Sequence, residues 1–313
     1  MENFSFVIPV YNEEQNIPVL YQKITEEMKE IGDNWEIIFV NDGSKDRSLD
    51  VLQEFAKIDK RVKWIDLSRN FGHQAALTAG LDQATGDAVI SMDCDLQDPP
   101  EIIRRMIEEW RKGYEIVYAR RKNRKDAFLK KYTAIGYYQI LYRFSETQIP
   151  RNVADFRLID KVVLKELRTM TESSRYLRGM VSWLGFSHTF VDFDRPERLH
   201  GVAGYSWEKS LKLAMDGIMN FSLAPMKVAF WLGILFNMMG FLFLNYMLYD
   251  TIFKDAHYEL IKWLTVAIFM ATGLQYVLIW ILGEYVGRIY EESKNRPVYV
   301  INKKGNLDEN PDA

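Results

Sequence analysis

DAVISMDCDLQDPPEIIRRMIEEWRKG, residues 87–113, is the stretch that decides the architecture. It opens with a short apolar run, Ala88 to Met92, of the length and type of a buried strand. The run breaks into Asp93, Asp95 and Asp98 around a turn. Pro99 and Pro100 then lead into a helical pattern, since proline is tolerated where a helix begins. The same order of strand, polar loop and helix recurs upstream. FSFVIPVY (4–11), WEIIFVND (35–42) and VKWIDLS (62–68) read as strands, and YEIVYAR (114–120) follows as another. Leu20, Ile24, Met28 and Ile31 fall on one helical face between the first two, Asp46 is placed to cap a helix running through Phe55, and HQAALTAGLDQA (73–84) reads as a third helix. Such alternation predicts an α/β fold, a mostly parallel sheet covered by helices on both faces.

In sheets of this kind ligands bind beyond the carboxyl ends of the strands. The polar residues of this chain gather there: Pro9-Val-Tyr11-Asn-Glu13 after the first strand, Asn41-Asp42-Gly43-Ser44 after the second, Ser68 to His73 after the third. No G-x-G-x-x-G follows the first strand and no G-x-x-x-x-G-K-[ST] occurs, which disfavours a nicotinamide site and a P-loop. Asp93 and Asp95, two apart where a strand becomes a loop, are hard oxygen ligands suited to Mg²⁺ or Mn²⁺ carried by a phosphate. The competing reading is a solvated turn whose Asp caps the next helix. No HExxH motif or His cluster points to zinc, and His73, just before a helix, reads as a packing or capping residue.

The chain has 313 residues, 27% of them charged, and a net charge of −3. That near balance argues against a general nucleic-acid binder. A single cysteine excludes an intramolecular disulfide and a Cys-rich metal site, and the natural environment is reducing. Mean hydropathy is −0.20, yet 228–249 (VAFWLGILFNMMGFLFLNYMLY) and 263–283 (WLTVAIFMATGLQYVLIWILG) carry no charge. Each has roughly the 20 apolar residues that cross a bilayer. Two buried helices of a soluble core are the alternative, but helices apolar all round are unusual in a domain this size. Lys209, Lys212 and Lys227 precede the first stretch, and Arg288, Lys294, Arg296, Lys303 and Lys304 follow the second. The loop between them carries Asp250, Asp255 and Glu259 against its lysines. The positive-inside rule then predicts a two-helix hairpin in the cell (inner) membrane with both ends cytoplasmic. The first residues, MENFSFVIPVYNEE, lack the basic start of a signal peptide.

FVIPVYNEE, VNDGSKD, RNFGHQAALTAG and DCDLQDPPE, in this order and spacing, resemble the nucleotide-sugar domain of family 2 glycosyltransferases, whose fold is called GT-A. The nearer resemblance is to polyprenyl-phosphate hexosyltransferases: dolichol-phosphate mannose synthases and the bacterial undecaprenyl-phosphate glucosyltransferases of GtrB type. It implies that Pro9, Tyr11 and Glu13 line the nucleotide pocket and that Asp42 reads the uracil edge. It implies that Asp93, Asp95 and Gln97 hold the metal and diphosphate, with Asp95 counted in the catalytic set. Cys94, between the acids, has a structural reading. The chemistry implied is an inverting transfer of a hexose from a UDP-sugar, UDP-glucose first and UDP-GlcNAc second, to undecaprenyl phosphate on the cytoplasmic face. The product would serve cell-envelope glycosylation through a separate flippase and a downstream glycosyltransferase, and a homo-tetramer is implied.

Beyond residue 120 the sequence turns basic, and KYTAIGYYQILYRF (131–144) and WEKSLKLAMDGIMNF (207–221) read as interfacial amphipathic helices at the headgroups of membrane lipids. Guanidinium forks suit a lipid phosphate. By the resemblance, Arg120, Lys131, Arg157, Arg195 and Arg198 are its candidate ligands. Asp155, in NVADFRLID (152–160), matches the family's candidate base; a structural ion pair with Arg157 is the alternative. The expected organisation is a GT-A domain over 1–125, an acceptor-binding juxtamembrane region over 126–225, a transmembrane hairpin within 226–286 and a cytoplasmic tail over 287–313, whose end NKKGNLDENPDA (302–313) reads as polar and loose. Two other functions compete: a processive polysaccharide synthase, disfavoured because no Gln-x-x-Arg-Trp occurs, and a non-catalytic membrane accessory that keeps the sugar-nucleotide fold.

Overall fold

The computed structural model describes residues 2–32, 34–122, 150, 153–172, 175–194 and 260–307, with isolated helical positions between 238 and 253. Eight strands form one sheet: β1 (Asn3–Val10), β2 (Asn34–Asn41), β3 (Val62–Leu67), β4 (Ala88–Ser91), β5 (Ile116–Arg121), β6 (Val153–Asp160), β7 (His188–Phe193) and β8 (Ile301–Gly305), in the order β7-β5-β6-β4-β1-β2-β3-β8. The centre, β4-β1-β2-β3, is parallel. Strand β6 runs antiparallel between β4 and β5, and β8 runs antiparallel along β3. The expected α/β fold is therefore present as a mixed, mostly parallel sheet.

Strand periodicity explains the two cores. Phe4, Phe6, Ile8 and Val10 of β1 point to one face, with Ile37 and Phe39 of β2. Val7, Ile38 and Val40 point to the other. Both faces are apolar, so both must be covered. On the first face lie α1 (Asn16–Ile31), α2 (Ser48–Ile58) and α4 (Ile103–Arg111); on the second lie α3 (His73–Gln83), α5 (Lys161–Thr169) and α6 (Leu177–Trp183). Helix α1 buries Ile17, Leu20, Ile24 and Met28. Those side chains together contribute roughly 6–12 kcal/mol of transfer free energy, an upper figure because the unfolded chain is already partly collapsed. Helix α3 is buried along Ala75–Leu81. Gly80 lets it approach the sheet, since a Cβ there would lie 2.3 Å from Val7 Cγ1.

Two expectations about organisation are corrected. The sheet does not stop near residue 125: β6 and β7 join it, so the described part of 126–225 is sheet and its covering helices. Nor is the polar run after Ile301 loose up to Leu307. It forms β8, and Gly305 packs so closely on Trp64 that a Cβ would meet the indole Nε1 at 2.3 Å. Backbone pairing along β3 and the Asn306 amide, bonded to Ala56 O and Val62 O at 2.7 and 2.9 Å, hold this segment despite its polarity. Asp46, the expected cap, does bond the Ser48 N–H at 3.0 Å, but from one residue ahead of the observed N-cap, Arg47.

Helix α7 (Leu260–Ser293) has 34 residues and contains the uncharged stretch 263–283. Judged over the described residues alone, no helix is long and apolar enough to cross a membrane. Most of 228–249, and both interfacial stretches at 131–144 and 207–221, lie outside the described residues.

Candidate active site

The carboxyl ends of β1 to β5 and β7 share one rim, and the antiparallel β6 brings its amino end to it. The turn after β4 is the acidic part. It is closed from within: the Asp93 N–H donates to Asp98 Oδ2 at 3.0 Å and the Gln97 N–H to Asp95 Oδ1 at 3.1 Å. Leu96 takes φ 60°, a left-handed conformation unfavourable for a branched side chain. The hydrogen bonds that close the turn hold Leu96 in this conformation. Asp95 and Asp98 are buried, whereas the Asp93 side chain keeps 34% of its surface. Burial, then the Asp93 charge, pushes Asp98 up to about 7, and its Oδ1 has no partner among the described residues. Burial also raises Asp93, with Asp95 and Asp155 adding to the shift and His73 opposing it. Burial lifts the Cys94 thiol well above its usual range, so it is inert.

Among the described residues no three His, Cys, Asp or Glu side chains form a ready-made metal cage. The acids nevertheless fit a divalent ion. Hard oxygens crowd one turn at a cost that a cation would relieve, and Mg²⁺ typically takes one or two carboxylates with phosphate and water as its other ligands.

A cationic cluster adjoins the acids. The β4–β6 register pairs Ser91 with Arg157, which carries Asp155 to the level of Asp93. Asp155 receives Arg157 Nη2 on Oδ1 at 2.9 Å, Arg178 on both oxygens at 3.2 and 2.9 Å, and Gln74 Nε2 on Oδ2 at 3.2 Å. His73 Nε2 stands 3.5 Å from Asp155 and 3.6 Å from Asp93. Burial would raise Asp155, but Arg178, the His73 contact and Arg157 outweigh it and hold the carboxyl well below the usual range. Burial would lower His73, but Asp93 and Asp155 outweigh it and lift the imidazole to about 9. The imidazole is thus a cation at neutral pH, bridging the two acids. The Gln74 carbonyl accepts the Leu177 N–H at 3.0 Å and so fixes α6, which carries Arg178.

The β1 and β2 loops form the other side of the rim. Tyr11 is exposed, Pro9 is buried in β1 and Glu13 is half-buried. The Asn12 N–H donates to Ser44 Oγ at 2.9 Å, and Asn12 Oδ1 accepts the Lys45 N–H at 2.8 Å. Asp42 is buried and accepts the N–H groups of Phe71 and Gly72 at 2.7 and 3.0 Å. Its first geometric task is to hold the loop before α3. Gly43 makes that approach possible: it has φ 66°, and a Cβ would come 2.7 Å from Asn70 N.

The rim therefore unites Tyr11, Glu13, Asp42, Asp93, Asp95, Gln97 and Asp155. The cation assignments fare differently. Arg157 is buried, with its guanidinium engaged by Asp155 and by Leu177 O at 3.4 Å. It is corrected from a lipid-phosphate ligand to the partner of Asp155. Arg120, half-exposed at the end of β5, makes a forked pair with Asp192 and lies 4.7 Å over Phe190. Lys131, Arg195 and Arg198 lie outside the described residues. Reading the sequence alone misses Arg178 and Gln74 and makes His73 a packing residue. A histidine opening the helix after a polar strand end was the available signal for His73; Arg178 has none, because only the packing of α6 brings it to β6.

The glycosyl transferase family 2 profile matches residues 5–168, from β1 through α5. The chain is 47% identical over 301 residues to the uncharacterised glycosyltransferase YkcC of Bacillus subtilis (strain 168), covering 96% of this chain and 93% of that protein. It is 39% identical over 300 residues to the SfII prophage-derived bactoprenol glucosyl transferase of Shigella flexneri, covering 96% and 97%. Among solved structures, mannosyl-3-phosphoglycerate synthase from Rubrobacter xylanophilus superposes with a TM-score of 0.52 at 14% identity, over 74% of this chain and 75% of that one. That likeness is one of fold, the GT-A arrangement. With the family profile spanning the acidic rim and homology running nearly end to end, the chain belongs to glycosyl transferase family 2 and is a glycosyltransferase close to the bactoprenol glucosyl transferases.

Proposed function

We propose that this enzyme moves a hexose, glucose in the first instance, from a UDP-sugar to undecaprenyl phosphate, with inversion at the anomeric carbon. One observation carries the reading: the acids after β4 meet the His73–Asp155–Arg178 cluster at one rim. The relatives named for bactoprenol supply the acceptor class. Asp93 and Asp95, with Gln97, would hold Mg²⁺ or Mn²⁺, which when bound neutralises charge on the diphosphate leaving group. The residues of the chain do the rest. Tyr11, Glu13 and the Asp42 loop hold the nucleotide. The His73 cation faces the acids and offsets negative charge building beside them. An acceptor phosphate oxygen attacks the anomeric carbon as the bond to the UDP oxygen breaks. A phosphate monoester has a second pKa of about 6 and is largely ionised at neutral pH, so no strong base is needed. Asp155, held ionised by its guanidinium partners, orients this end of the site rather than removing a proton.

We further propose that 228–249 and 263–283 anchor the enzyme as a hairpin, with the catalytic domain cytoplasmic. The support is their lack of charge and the lysine and arginine distribution around them. The test is lipid extraction. Purified full-length protein in detergent receives undecaprenyl phosphate, Mg²⁺ or Mn²⁺, and labelled UDP-glucose, UDP-GlcNAc or UDP-galactose in parallel. Label entering the organic phase from UDP-glucose, and lost with EDTA, is the expected result. Transfer from UDP-GlcNAc instead would correct the sugar. UDP-sugar binding with no lipid labelled from any donor would refute the acceptor.

A further inference from the structure

The segment after α7 reaches the same rim. Strand β8 pairs antiparallel with β3, but its register slips: Asp66 faces Lys303, while Leu67 faces Ile301. Asn302 is therefore the extra residue of a β-bulge, a device that re-aims a side chain. Its Nδ2 donates to Asp66 Oδ2 at 2.9 Å. The other oxygen of this buried carboxylate accepts Asn41 Nδ2 at 2.7 Å. Asn41 is itself buried at the end of β2, and its Oδ1 accepts the Ser44 N–H at 3.3 Å. Ser44 Oγ in turn takes the Asn12 N–H. A continuous chain of polar contacts thus runs from β8, through Asp66, to both loops of the nucleotide side of the rim.

We infer that Asn302 is a positioning residue for the donor nucleotide, acting through Asp66 and Asn41 on the loops at 41–44 and 11–13. This rests on the proposal that the rim binds a UDP-sugar. The physical argument is rotamer control. An Asp carboxylate bonded on one oxygen only is free to turn about its terminal torsion; a second donor on the opposite oxygen fixes its plane, and with it the Asn41 amide. Asn302 lies at the surface, so changing it leaves both cores intact.

The experiment is calorimetric titration of UDP, with Mn²⁺ present, into the full-length protein in detergent. N302D places a carboxylate against Asp66 and removes the donor. D66N/N302D exchanges the pair, letting the amide at 66 donate to the carboxylate at 302 while its oxygen still accepts Asn41. Asn306→Ala is the control, because Asn306 holds the same segment and its amide bonds Ala56 O and Val62 O, away from the Asp66–Asn41 chain. The expected result is a UDP Kd raised at least fivefold in N302D and restored to within twofold in D66N/N302D. Asn306→Ala stays within twofold even as its melting temperature falls. In turnover, the KM for the UDP-sugar rises in N302D while that for the lipid phosphate does not. UDP binding by wild type with N302D unchanged, or no recovery in the exchanged pair, overturns this inference alone. Wild-type protein that binds no UDP overturns it together with the donor reading.

Discussion

Replacing Asp155 by asparagine tests the cationic cluster directly. The amide keeps the shape of the carboxylate but removes the negative charge that Arg157, Arg178 and His73 share. It also sets an N–H₂ group against guanidinium donors. The Arg157 side chain is 3% exposed and cannot recover its loss from water. Removing one member of a buried pair costs about 3–5 kcal/mol. At about 2.1 cal/mol/K per residue the unfolding entropy of a 313-residue chain is about 0.66 kcal/mol/K, so each kcal/mol moves the melting point about 1.5 °C and Asp155→Asn should melt roughly 5–8 °C below wild type at pH 7. The pH dependence has a definite sign. The folded carboxyl titrates well below its unfolded value of about 3.9. Its contribution is therefore fully present above pH ~4 and is lost as pH falls towards the folded pKa. The variant has no such group, so the gap should narrow below pH ~4 by about 1.4 kcal/mol per pH unit. Fluorescence-detected melting from pH 7 to pH 3 reads both effects. A gap under 2 °C at pH 7, or one that does not narrow in acid, would refute the view that Asp155 is held ionised by its neighbours.

Three other outcomes follow from the same geometry. Asp93→Asn should lower kcat by about 10²–10³, as expected for loss of an electrostatic group at the developing charge, and raise the UDP Kd measured with metal; an unchanged kcat in the lipid-extraction assay would remove Asp93 from the site. Gly43→Ala, at φ 66° and with a Cβ 2.7 Å from Asn70 N, should push apart the loops at 43 and 69–70 and abolish UDP binding. Calorimetry reads this, with hydrogen exchange at Phe71 and Gly72 reporting the loss of Asp42's partners. Arg61→Ala acts away from the site. Arg61 hydrogen-bonds Asp59, whose carboxyl is lowered to about 2, and Arg61 is half-exposed, so after solvent screening the pair contributes only about 1 kcal/mol. That difference should be present at pH 7, begin to fade below pH ~4 and lose its Asp59 part only below pH ~2, leaving the contact of Arg61 over the Trp35 ring; a constant difference in chemical-denaturation midpoints from pH ~7 to pH ~2 would show that the shift is not due to Arg61.

The amino-acid order determined those features whose cause is local. Apolar runs at 4–10 and 35–40 and the helical face of Leu20, Ile24 and Met28 depend on near neighbours, and the structure has them where the pattern puts them. The acids at 93, 95 and 98 also follow from one short turn after a strand. Tertiary structure decided whatever depends on which distant segments meet. The sequence offers an Asp155–Arg157 ion pair only as an alternative to a phosphate-binding Arg157 and carries no sign of Arg178; pairing of β6 beside β4 and packing of α6 on it turn both guanidinium groups onto Asp155. A buried carboxylate must be compensated, and only the fold says by whom. His73 changed from a packing residue to a bridging cation for the same reason. The polar run 302–307 has too little apolar surface to announce a strand. Its order comes from β3's unpaired backbone, from Trp64 over Gly305, and from the Asn302 and Asn306 amides reaching groups more than 230 positions away in the chain.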